Sequence, residues 1–171
     1  TGSNAEVHPV VIATGDGFVR IYVWYGYAID QLAQIWVLEA RDDADSADLA
    51  DGTAWDLVVV DALDGPLDGS SDWPRLSAVA AGGSQVVMVA RWGSTLVQAY
   101  SSDGYRFTGL TTAITGEVGH SLAYESGRFV LVSAVTATGK VVSRSIANAA
   151  TQFDSVDVVE VTDISVADSA T

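Results

Sequence analysis

Short apolar runs rich in β-branched and aromatic residues recur along this chain between Gly-, Ser- and Asp-containing turns, and at Leu96, Gln98 and Tyr100 the residues alternate as in a strand. The run Leu96-Val97-Gln98-Ala99-Tyr100 leads into Ser101-Ser102-Asp103-Gly104, and the chain leaves through Phe107 into a second apolar run. Asp hydrogen-bonds backbone two residues on and Gly accepts positive φ, so this stretch predicts a hairpin with a side-chain lock. The same strand, turn, strand pattern is read at Pro9–Thr14 and Phe18–Trp24 around Gly15-Asp16-Gly17, with later strands at Gln34–Glu39 and Trp55–Asp61. It restarts at Arg75–Ala80 and Gln85–Arg91, then Leu96–Tyr100 and Phe107–Ile114. A further pass comprises Ser121–Tyr124, Arg128–Ala134 across Ser126-Gly127, Val141–Ser145 and Phe153–Val161.

Four antiparallel strands written three times is a repeat pattern, with an aromatic, Trp55, Phe107 or Phe153, opening the fourth strand of each pass. Ile12, Val79 and Leu122 correspond in this reading, as do Ile21, Met88 and Leu131. The expected architecture is all-β, made of blades of a β-propeller-like fold, over 8–61, 73–114 and 120–161. An N-terminal arm (1–7) and a polar C-terminal tail (162–171) flank it; Ile164-Ser165-Val166 in that tail could cover a strand edge. Closed propellers hold about 4 to 8 blades, so three form an incomplete ring that needs a second copy, another subunit or more chain. A two-sheet sandwich is the architectural rival.

Composition narrows the partners. The 171 residues are 49% apolar, enough for a substantial core, and 16 Gly against 3 Pro suit many short strands. Eight basic against 22 acidic residues give a net charge of −14, which repels phosphate backbones and anionic lipid. Nucleic acid is therefore not an expected partner. No apolar run approaches the roughly 20 residues of a membrane-spanning helix, and membrane insertion is not expected. The absence of cysteine removes disulfides and thiolate chemistry. The chain begins at Thr1 and reads as lacking a leader, either processed or cut from something longer.

Ser101-Ser102-Asp103-Gly104-Tyr105-Arg106-Phe107 resembles the Asp-box of sialidase-like (BNR) propellers, Ser-x-Asp-x-Gly-x-x-Trp/Phe, one residue shorter than usual. The other passes keep only its skeleton, Asp42 or Asp43 with Trp55 and Asn148 with Phe153. The resemblance implies a propeller in which Ser101, Asp103, Gly104 and Phe107 form a structural lock away from any catalytic centre. Enzymes of that family would offer an arginine cluster, a Tyr with a Glu partner and an acidic Asp; no motif here matches that set.

Candidate chemistry is correspondingly sparse, and no catalytic residue is assigned. Trp24, Tyr25, Tyr27 and Trp92 are candidate exposed contacts for a glycan or protein, because aromatic faces stack on sugars and anchor interfaces. Asp43, Asp45, Asp48 and Asp51 alternate oxygen donors on an acidic loop (41–52) in a way that suits calcium, without the EF-hand pattern. No other cofactor is implied. His8 and His120 both stand before a first strand and make a thin ligand set. The expected function is a non-catalytic extracellular or virion-surface module for assembly or recognition, self-associating or bound to another subunit. A sialidase-like glycoside hydrolase segment and a β-sandwich adhesin are the alternatives.

Overall fold

A computed structural model describes residues 6–13, 17–27, 32–62, 75–82, 85–92 and 95–162. Three antiparallel sheets, each of four strands consecutive in sequence, make up the fold, and none closes on itself. Sheet 1 contains β1 (Glu6–Ala13), β2 (Phe18–Tyr27), β3 (Leu32–Arg41) and β4 (Asp56–Ala62). Sheet 2 contains β5 (Arg75–Gly82), β6 (Gln85–Trp92), β7 (Thr95–Ser101) and β8 (Thr108–Thr115). Sheet 3 contains β9 (Glu117–Glu125), β10 (Arg128–Val135), β11 (Val141–Ile146) and β12 (Val159–Glu160).

Sheet 2 lies between the other two, and β6 shows why. Val86, Val87, Met88, Val89 and Ala90 are all buried, because successive side chains point to opposite faces and both faces are covered. Val86, Met88 and Ala90 pack with Tyr22, Ile35 and Val37 of sheet 1. Val87 and Val89 pack with Leu122, Phe129, Leu131 and Ile146 of sheet 3. The first strands meet in turn, β1 against β5 and β5 against β9. Fully burying an aliphatic side chain contributes about 1.5–3 kcal/mol, so these two seams dominate cohesion between the sheets.

The aromatics before the fourth strands do not share one environment. Phe107 is buried in the seam with sheet 1 and Phe153 in the seam with sheet 2. Trp55 is half-buried and donates its indole N–H to the carbonyl of Leu49, 3.0 Å away on its own acidic segment. Sheet 1 has no core cluster on its far side among the described residues, so Trp55 packs locally.

Several sequence expectations are corrected. The acidic 41–52 segment holds a six-residue helix, α1 (Ser46–Asp51): Asp45 accepts the amide of Ala47 at 2.8 Å and Gly52 ends the helix left-handed. Strand β9 starts at Glu117, four residues before the Ser121 at which the sequence placed it. Residues 153–161 form no long strand: Phe153–Ser155 is a 3-10 turn and β12 has two residues. Cross-strand register places Val11, not Ile12, opposite Ile21, matching Val79 opposite Met88 and Leu122 opposite Leu131. The tail piece 164–166 lies outside the described residues. No helix among the described residues is long and apolar enough to cross a membrane.

Candidate functional site

Polar chemistry among the described residues gathers at the two seams. At the first, Ser101–Phe107 folds back on itself. Asp103 Oδ1 accepts the amides of Tyr105 and Arg106, both at 2.8 Å, and the Ser101 hydroxyl at 2.9 Å. Ser101 Oγ accepts the amide of Gly104 at 2.8 Å, and Gly104 sits at φ 81°, where a Cβ would be strained. Burial works to raise the Asp103 carboxyl, but the Arg106 and Tyr105 amides and the Ser101 hydroxyl outweigh it and hold it below the usual carboxylate range. The local lock expected from residue type is therefore present, and it orients the next two aromatics.

Phe107 meets Tyr22 edge-on, ring centres 5.8 Å apart, and the Tyr22 hydroxyl donates to the Gly104 carbonyl at 3.2 Å. Tyr105 reaches sheet 1. Its hydroxyl donates to Glu39 Oε2 at 2.7 Å and accepts from Arg20 Nη2, while Arg20 Nε donates to the same Glu39 oxygen at 2.6 Å. The guanidinium also lies 4.7 Å from the centre of the Tyr105 ring. Arg20 is buried, so its charge needs this partner set. Burial and the bond to Glu39 raise the Tyr105 phenol above its ordinary value, against the opposing pull of Arg20.

The second seam has two polar devices. Gln98, from β7, donates to the carbonyls of Ala149 and Thr151 at 3.3 and 3.0 Å and accepts the amide of Phe153 at 3.2 Å. Gln85 accepts the amide of Ala149 at 3.0 Å. Two sheet-2 glutamines thus satisfy backbone groups of the β11–β12 connection, and that is why this connection turns instead of extending. Within sheet 3, Arg144 forks onto both carboxylate oxygens of Glu117, and the Ser133 hydroxyl donates to Oε2 at 2.6 Å. Burial would raise the Glu117 carboxyl; the bonds from Arg144 and Ser133 and the Arg144 charge reverse that and lower it. Arg144 Nε is buried without a hydrogen-bond partner.

The sequence candidates fall elsewhere. Trp24, Tyr25 and Tyr27 occupy β2 and Trp92 ends β6, but their side chains lie outside the described residues, as do those of His8 and His120. The four loop aspartates are not drawn together. Asp43 pairs with Arg41 at 2.9 Å, Asp45 caps α1, Asp48 lies in its first turn, and Asp51 accepts the Thr53 amide and hydroxyl. Among the described residues no group of three or more His, Asp or Glu could hold a metal ion. Sequence reasoning missed Arg20, Glu39, Tyr105, Gln98 and the Glu117–Arg144 pair. A signal existed: Arg20 and Arg144 occupy core-facing register beside Tyr22 and Ile146, where a charge requires a partner. No protein-family model matches the chain and no curated protein matches it, so the site is read from its own chemistry.

Proposed function

We propose that this chain is a non-catalytic module of β-propeller type, its three sheets serving as blades. Its role is assembly, or recognition of a glycan or protein, at an extracellular or virion surface. The observation that carries the reading is the use of the buried polar groups: Arg20, Glu39 and Tyr105 bind one another, as do Glu117, Ser133 and Arg144. Groups so paired hold sheets in register. The Ser101–Phe107 turn supports the same reading, because an Asp-box lock is structural in the propellers it resembles. Net charge of −14 favours a partner other than nucleic acid.

A sialidase-like hydrolase is the second reading, favoured by one contact: the Tyr105 phenol lies on the Glu39 carboxylate with Arg20 beside it. Its electrostatics oppose that role, since burial and Glu39 make the phenol harder to ionise, whereas a nucleophile must ionise more readily. A glycan array and a screen with fluorogenic sialosides and glucosides, run on the native chain and on Tyr105→Phe, decide between them. Retention of a glycan without turnover is expected. Turnover that Tyr105→Phe abolishes would overturn the proposal.

A further inference from the structure

The repeat is directional, and its direction fixes what each end of the stack presents. Met88 faces sheet 1 and Leu131 faces sheet 2, both fully buried. Ile21 holds the same register in sheet 1, but its neighbour Tyr22 faces sheet 2, so Ile21 points to the far side. It is half-buried there, and Leu57, on the same face through its pairing with Leu38, is 55% exposed. The opposite end mirrors this. Val87 and Val89 are buried against sheet 3, while the residues of the same register in sheet 3, Val130 and Val132, are only half-buried. Sheet 1 thus ends in the face that sheets 2 and 3 each turn toward the preceding sheet. Sheet 3 ends in the face that sheets 1 and 2 each turn toward the following one.

We infer that a second copy of this chain covers both ends: sheet 3 of each copy packs on the far face of sheet 1 of the other. This rests on the reading of the sheets as blades, and it continues a seam that the chain already forms twice. The number of copies follows from closure. Closed propellers hold about 4 to 8 blades; the three sheets of the described residues fall short of that, two copies of them bring six, and a third copy would exceed it. Two-fold symmetry then satisfies both ends of both chains at once. On sheet 3 Ser143 and Ser145 flank the valines and the carboxylate on that face, Glu125, stands opposite Arg128, while the matching face of sheet 1 carries Val19, Ile21 and Leu38, so no like charges are forced together at the contact despite the acidic chain.

Because the chain has no cysteine, introduced pairs report cleanly. Gly82 lies against Tyr124 across the seam of sheets 2 and 3, where a Cβ on Gly82 would overlap the ring. The positions of the same register one seam further on are Glu125 in sheet 3 and Ala13 in sheet 1. Gly82→Cys with Tyr124→Cys should oxidise within one chain, and Glu125→Cys with Ala13→Cys should link two. The unmodified chain should have the native mass of two 17.8 kDa chains. Leu57→Asp and Val130→Asp should each weaken pairing by about tenfold or more, since each buries an unpaired charge. Mixing these two variants should restore a dimer through its one intact contact. A single-chain mass, or loss on Leu57→Asp but not on Val130→Asp, would overturn the inference; the latter marks a back-to-back dimer through sheet 1. If the Gly82/Tyr124 pair closes while the Ala13/Glu125 pair stays monomeric, only the second copy is wrong. If the Gly82/Tyr124 pair fails to close, the blade reading itself falls.

Discussion

Glu117→Ala would leave the Arg144 guanidinium buried with no counter-charge. The two side chains retain 8% and 9% of their exposure, so little solvent is at hand to take over. Removing one partner of a buried pair costs about 3–5 kcal/mol, whereas replacing both by apolar residues of similar volume is often neutral or stabilising. Domain stabilities are about 5–15 kcal/mol, so the single change removes a large share. At about 2–4 °C per kcal/mol for a chain of this size, Tm should fall by about 6–20 °C. Glu117→Leu with Arg144→Met should recover most of that loss, helped by removal of the unpartnered Nε. Urea and thermal melts of the three proteins provide the assay. A loss under about 1 kcal/mol for Glu117→Ala, or a double variant no better than the single, would refute the reasoning. The pH dependence has a definite sign. The folded-state pKa of Glu117 lies below the ordinary 4.5, so its contribution is present above that value and is lost as pH falls through the folded pKa. The native chain should therefore lose stability in acid more steeply than the double variant.

The same melts test two other positions. Asp103→Ala removes the acceptor of two amides and one hydroxyl and should cost about 1–3 kcal/mol, with Asp103→Asn recovering most of it because it keeps an acceptor oxygen. An Asn variant as weak as the Ala variant would show that charge, not geometry, holds the turn. Gly82→Ala places a methyl in the Tyr124 ring and should cost about 1–3 kcal/mol. Tyr124→Ala should relieve that cost in a double-mutant cycle, and strict additivity would contradict the close approach.

The strands were readable as short apolar runs bounded by turn residues, because every strand turns at least one face to a seam and β6 turns both. The Ser101–Phe107 turn was readable because its bonds are local: Ser, Asp and Gly satisfy backbone within three residues. Features set by distant contacts were not. Phe153 begins a turn because Gln98, 55 positions away, accepts its amide. Tyr105 acquires its partners only when sheet 1 arrives with Arg20 and Glu39. The acidic segment misled for another reason: regular spacing of carboxylates suggested shared ligation, while Asp45 and Asp51 answer to neighbours two residues away. The offset between Val11 and Ile12 reflects an apolar run in β1 that offers no alternation to fix its register.

Placement of sheet 2 between sheets 1 and 3 is the claim on which the seams, the repeat direction and the proposed module all rest. Amide hydrogen exchange measured segment by segment tests it most directly, since protection follows burial and cooperative opening. Residues 86–90 of β6, covered on both faces, should exchange slowest in the chain, well behind β4 and β11. Exchange in β6 as fast as in β4 would contradict the account.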